Sequence, residues 1–376
     1  MGITLGSGLT ILGGVIVEAG PTAPASGSSL YSWGRNNTGE LGLGDTTNRS
    51  SPVQVGALTT WSSISAGGFV SAAVKTDGTL WTWGTGLAGV LGQGNTTNYS
   101  SPKQVGALTA WLQVACAPYN MAAVKTDGTL WTWGYNPFGQ LGLGNTTYYS
   151  SPKQVGALTT WLQVSCGGYH GAAVKTDGTL WTWGYNVSGQ LGLGNTTNRS
   201  SPVQVGALTD WLQVSAGRYF TAAVKTDGTL WTWGDNNNGQ LGLGNTTNRS
   251  SPVQVGSGTT WAAVAGGFFH TAAVKTDGTL WVWGWNQAGQ LGLGNTTAYS
   301  SPKQVGALTT WSTVACGQYF TSAVKTDGTL WIWGRNEYGQ LGLGNTTYYS
   351  SPKQVGALTT WSAAVGGYQH TLAISS

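Results

Sequence analysis

Apolar and polar positions along this chain repeat one pattern, met first at residues 72–84 as Ala-Ala-Val-Lys-Thr-Asp-Gly-Thr-Leu-Trp-Thr-Trp-Gly. An apolar, β-branched run climbs to Lys75, Asp77-Gly78 interrupts it, and the alternating run Leu80-Trp81-Thr82-Trp83 leaves in the opposite direction. Alternation with a period of two is what a strand with one buried face requires. Asp-Gly is tight-turn chemistry: the carboxylate bonds its own backbone, and Gly accepts positive φ without a Cβ clash. The stretch predicts a β-hairpin, and it returns at 122–134, 172–184, 222–234, 272–284 and 322–334, always 50 residues on.

The rest of each period reads as strand and turn. Trp111-Leu112-Gln113-Val114 precedes the hairpin, the loop Gln140-Leu141-Gly142-Leu143-Gly144-Asn145 follows it, and Ser-Pro opens a last strand such as Lys103-Gln104-Val105. About four strands per 50 residues predict an all-β fold, a seven-bladed β-propeller. The ends agree with this. Residues 30–34 (Leu-Tyr-Ser-Trp-Gly) lack the strand that precedes every other copy, and residues 370–374 (His-Thr-Leu-Ala-Ile) are that strand without its partner. One blade is expected from both ends of the chain, which closes the ring and removes free edges.

Ahead of the propeller, residues 1–20 show a shorter period of three Gly-led hexads. Ile3, Leu5, Leu9, Ile11, Val15 and Val17 all fall on one sequence parity, and three hexads make at most one turn of a β-helix. One turn is too little to bury its own face, so this segment is expected to be an assembly arm. Its partners would be identical arms (a homo-oligomer, with a trimer favoured) or a scaffold protein. Residues 21–29 form a Pro- and Ser-containing linker, and 30–376 form the propeller.

Composition narrows the function classes. Only 7% of the residues are charged, and the net charge of +4 is spread over single lysines at fixed repeat positions. No basic patch forms, so nucleic acid is not an expected partner. Cys116, Cys166 and Cys316 share one repeat position and are expected to be buried free thiols. The Asn-x-Thr/Ser sequons at Asn95, Asn145, Asn195, Asn245, Asn295 and Asn345 read as turn residues. No membrane span and no cleavable signal peptide is expected.

Gly-Gly-Tyr-His at 167–170, Thr-Asp-Gly-Thr-Leu-Trp-Thr-Trp-Gly at 176–184, Gly-Gln-Leu-Gly-Leu-Gly at 189–194 and Ser-Ser-Pro at 200–202 resemble the regulator-of-chromosome-condensation repeat family. The resemblance covers residues 30–376 and implies a seven-bladed propeller. It implies no single function: members include a nucleotide-exchange factor for the Ran GTPase and a bacterial inhibitor of β-lactamases. No exchange-factor residues carry over, because repeats this uniform show no dedicated insertion. The hexads of residues 2–20 also resemble, weakly, N-terminal segments of phage tail and fibre proteins.

Catalytic chemistry is not expected. His170, His270 and His370 occupy one repeat position in alternate blades, filled elsewhere by Val70, Asn120, Phe220 and Phe320, so they do not converge as metal ligands. Glu occurs only at 18, 40 and 337, and the Asp of each Thr-Asp-Gly belongs to a turn. No cofactor and no metal is expected.

The repeats differ at two places, after Trp-Gly and before the hairpin. Both are expected on one face of the disc, opposite the Thr-Asp-Gly turns, as a recognition surface of Arg35, Tyr135, Phe138, Tyr185, Arg218, Phe220, Phe268, Trp285, Phe320, Arg335, Tyr338 and Tyr368. The sequence reading is a non-enzymatic binding or structural propeller, a virion or tail component of a phage whose arm anchors it to the scaffold. The surface would meet a host-surface protein or glycan. Two alternatives stand beside it: a soluble, cytoplasmic protein-binding regulator of the exchange-factor or enzyme-inhibitor kind, and a secreted or bacterial surface repeat protein.

Overall fold

The computed structural model of this chain describes residues 28–376 throughout and, ahead of them, the backbone of three strands at Ile3–Leu5, Leu9–Leu12 and Val15–Glu18. The described residues of the repeat region form seven four-stranded antiparallel sheets. Blade 3 is typical, with strands Trp111–Cys116, Asn120–Lys125, Leu130–Gly134 and Tyr149–Gln154 in sheet order. Blades 2 and 4–7 repeat this order from Trp61, Trp161, Trp211, Trp261 and Trp311. The Trp-led strand is innermost, and its end lines a central channel to which all seven blades contribute.

Blade 1 closes the ring as expected. Trp361–Gly366 and His370–Ser375 pair with Ser29–Gly34 and Arg49–Gln54, from Gly34 opposite His370 to Ser29 opposite Ser375. Ser28 adds a parallel bridge to Thr60, so the ring starts two residues before Leu30.

Tryptophan holds the blades together in two ways. Trp33, Trp83, Trp133, Trp183, Trp233, Trp283 and Trp333 are fully buried, and each indole Nε1 donates to a carbonyl of the preceding blade: Glu40 for Trp83, Val90 for Trp133, Gln140 for Trp183. The Gly of Leu-Gly-Leu-Gly seats that indole. A Cβ on Gly142, where φ is +69°, would stand 3.1 Å from the Trp183 ring. In blades 2–7 the other two tryptophans of the repeat sandwich the lysine. Lys175 Nζ lies 3.8 Å from the Trp181 ring centroid and 4.8 Å from that of Trp161, and blades 2, 3, 5, 6 and 7 repeat the arrangement. Such contacts contribute about 0.5–2 kcal/mol each, which gives the regularly spaced lysines a structural role.

The Thr-Asp-Gly turn extends this. Asp177 Oδ1 accepts from Thr179 N and Oγ1 at 3.0 and 2.6 Å, and Thr179 Oγ1 accepts from Trp181 Nε1 at 2.9 Å. The Thr179 hydrogen bonds hold the Asp177 carboxyl below its ordinary pKa.

The N-terminal strands form an antiparallel meander in place of a β-helix turn. Ile3 pairs with Ile11 and Leu5 with Leu9, but Leu12 pairs with Val15 and Thr10 with Val17. The third strand is thus out of step with the one-parity reading, because antiparallel pairing depends on turn length and not on hexad spacing. The side chains of Ile3, Leu5, Leu9, Ile11, Val15 and Val17, and the assembly role assigned to them, lie outside the described residues.

Candidate binding face

The two variable places of each repeat are joined by main-chain hydrogen bonds. Tyr135 N donates to the carbonyl of Tyr119 at 2.8 Å, Trp285 N to Phe269 at 2.8 Å and Arg335 N to Tyr319 at 2.9 Å. Arg35 N makes the same bond to Gln369 across the ring closure, at 2.8 Å. Both loops therefore lie on one face, away from the Thr-Asp-Gly turns.

That face divides into an outer ring and a central plug. In the outer ring Phe138 reaches from blade 3 to blade 4, 4.8 Å from Tyr185 and 5.8 Å from Tyr169. Tyr135 lies between Tyr119 and Tyr148, Trp285 packs 4.9 Å from Tyr319, and Arg335 lies over Tyr319 while pairing with Glu337. Arg35 stands 4.1 Å over Phe69 and bonds the buried Glu40 carboxylate at 2.5 Å. Tyr338 is half-buried, and its N–H donates to Gln340 Oε1. The aromatics at 69, 119, 169, 219, 269 and 319 form the floor, with Tyr169 stacked on Tyr219 and Phe269 on Tyr319.

Arg218, Phe268 and Tyr368 turn inward. They meet over the channel, whose free space there is about 80 Å³. The Arg218 guanidinium lies 4.9 Å from the Tyr219 ring and 5.0 Å from Phe268, and Phe268 meets Tyr368 edge-on at 4.7 Å. Burial raises the Tyr368 hydroxyl above its ordinary pKa. These three side chains close the channel and pack largely on each other.

Two expected face residues are not on the face. Phe220 and Phe320 are fully buried. They open the second strand and point between blades, over glycines that leave room for the ring: a Cβ on Gly217 would meet Phe220 Cε1 at 2.2 Å. The spacing Gly-x-x-Phe or Gly-x-x-His carried that signal. His170, His270 and His370 fill the same buried slot and bond the hydroxyls of Thr221, Thr321 and Ser71 in the following blade at 2.9, 3.0 and 2.9 Å. Thr221 Oγ1 gives its proton to the Gln190 carbonyl, so it accepts from His170, which fixes the Nε2–H tautomer. His170 Nδ1 has no partner, and burial depresses the ring's pKa to about 3.

The asparagine that follows the Trp-Gly-x stretch in every blade but the second, where Gly86 stands, is structural as well. Asn136 is fully buried, accepts from Leu141 N, and donates to the carbonyls of Asn145 and Thr147. Tyr148 and Tyr348, 48% and 46% exposed, extend the face and were absent from the sequence reading. Their signal was a third variable position, held by Asn48, Asn98, Asn198, Asn248 and Ala298 in other blades. Among the described residues no three His, Cys, Asp or Glu side chains gather as a metal site, and no helix is long and apolar enough to cross a membrane. Cys116, Cys166 and Cys316 are free, and burial pushes the Cys116 thiol up to about 12.

The RCC1-like domain profile matches residues 150–376, and profiles of the regulator of chromosome condensation (RCC1) repeat match 28–74, 77–124 and 111–140. The chain belongs to the RCC1-like family. No curated protein matches it. The fold of human WBSCR16 superposes with a TM-score of 0.83 at 23% identity, covering 93% of this chain and 98% of that one. Prp20p from Saccharomyces cerevisiae, whose structure was described with its binding to Gsp1p and histones, gives 0.86 at 19% identity, covering 97% and 96%. The same yeast protein bound to Kap60 gives 0.85 at 19%, covering 97% and 93%. At these identities the likeness is one of fold. The expectation of a phage tail or virion component finds no support in these matches, which are to RCC1-like propellers.

Proposed function

We propose that this RCC1-like propeller is a non-enzymatic regulator that binds a protein partner through its variable face. The observation that carries the reading is the outer set of Arg35, Tyr135, Phe138, Tyr185, Trp285, Arg335 and Tyr338: half-buried aromatics and guanidinium groups on one face, packed against an aromatic floor. Aromatic and Arg side chains are the residues that dominate protein–protein binding energy, and their packing here limits the entropy lost on binding. The seven blades share one scaffold and differ mainly on this face, which suits recognition by loop variation on a rigid frame. The family supports the reading, and Prp20p, a fold relative, binds proteins.

The test is affinity capture with the intact chain, followed by direct binding measurements on the captured partner. Replacing Tyr135, Phe138, Trp285 and Tyr338 by Ala should weaken binding at least a hundredfold without loss of fold. Changing Asp77, Asp127 and Asp177 to Asn should leave binding intact. Equal loss from both sets would move the interface off this face.

A further inference from the structure

On the Thr-Asp-Gly side the channel opens into a cavity of about 880 Å³, walled by the inner strands of blades 2–5 and by the turns at Asp77 and Asp177. Its lining is uneven. The second residue of the inner strand is Leu112, Leu162 and Leu212 in three consecutive blades, and Ser62, Ala262, Ser312 and Ser362 in the rest. Leu112 is 50% exposed, and Leu162 and Leu212 are half-buried. The neighbouring glutamines already occupy the inner-strand backbone: Gln113 Oε1, Gln163 Oε1 and Gln213 Oε1 accept from Val164 N, Val214 N and Val264 N at 3.1, 3.0 and 3.1 Å. The mouth thus offers a crescent of apolar side chains and few free backbone groups.

The chain enters the propeller on this same side. Ser28 bridges Thr60, which accepts from Thr76 N of the Thr-Asp-Gly turn and lies two residues before Ser62 of the cavity wall. Between Glu18 and Ser28 there are nine residues, which span up to about 30 Å when extended. Ahead of them lie Ile3, Leu5, Leu9, Ile11, Leu12, Val15, Ile16 and Val17, in a segment with a single charged side chain, Glu18. The backbone of Val15–Glu18 lies against that of Trp211–Ala216, the inner strand that carries Leu212.

We propose that residues 2–20 dock, within the same chain, on the Leu112–Leu162–Leu212 crescent, on the side opposite the variable face. Apolar surface on both sides leaves water together, and the short tether holds the segment at high effective concentration.

The experiment compares four proteins: the chain from residue 1, the chain beginning at Ala25, and both with Leu112, Leu162 and Leu212 changed to Ser. Thermolysin, which cuts before apolar residues, is applied under native conditions, and cleavage within residues 2–20 is followed by mass spectrometry. The intact segment should be protected, and the triple Ser variant should be cleaved at least tenfold faster at every protein concentration. Light scattering should give a monomer. Hydrogen exchange should speed up at 109–113, 159–163 and 209–213 when the chain begins at Ala25, a readout that needs no Leu variant. Equal cleavage of both full-length proteins, or exchange unchanged by truncation, overturns the proposal. Protection that grows with concentration, together with a dimer or trimer mass, also overturns it and assigns the segment to a second copy.

Discussion

Trp33 Nε1 donates a 2.9 Å hydrogen bond to the main-chain carbonyl of Gln340, across 307 residues of chain. It is the same staple that joins every neighbouring pair of blades, here spanning the ring closure. Deleting residues 370–376 removes the partner of Ser29–Gly34 and leaves two sheet edges open. The truncated protein should aggregate or lose its cooperative melting transition. Normal two-state melting would show that blade 1 does not close the ring.

The staples are not equal. Gln140 O accepts from Trp183 alone, since the following blade has Gly171 where Ser71, Thr221, Thr271, Thr321 and Thr371 carry a hydroxyl, while Gln190 O accepts from both Trp233 and Thr221. Trp183→Phe orphans a buried carbonyl and should cost about 1–3 kcal/mol beyond the lost packing. Trp233→Phe should cost about 1 kcal/mol less than that. Urea unfolding of the two variants measures the difference.

Gly142 and Gly156 separate backbone strain from packing. Both have positive φ, +69° and +60°, but a Cβ on Gly142 presses on Trp183 whereas one on Gly156 meets nothing within 4 Å. Gly156→Ala should cost only the left-handed backbone penalty, about 1–2 kcal/mol. Gly142→Ala should cost more and should red-shift the tryptophan fluorescence. Equal costs would mean that the indole has room to move.

Acid should destabilise the ring through its histidines. Burial depresses His170 and His270 to about 3 and His370 to about 4, against about 6.5 in the unfolded chain. As pH falls from about 6.5 towards 4, the unfolded state takes up protons that the folded state refuses, so stability falls. Three such sites give a slope approaching 4 kcal/mol per pH unit. The turn aspartates have lowered pKa values and add their loss only below about 4. His170→Phe copies the side chain at Phe220 and should remove about one third of the slope in melting experiments between pH 6.5 and 4. An unchanged slope would place the proton uptake elsewhere.

The chain alone determined the blade count, the hairpins and the closure, because strict 50-residue repetition, Asp-Gly turns and complementary half-units are local features that a propeller satisfies in one way. It also placed both variable loops on one face, since the ends of a hairpin opposite its turn must lie together. Tertiary structure decided which variable residues face outward. Phe220 and Arg218 are two positions apart, yet one is sealed between blades and the other lies over the channel, because the second strand begins at residue 220 and its first side chain points between the blades. The inward turn of Arg218, Phe268 and Tyr368 was equally hidden. Equivalent positions in seven separate repeats meet only when the ring closes, and no local pattern records how near the axis they come.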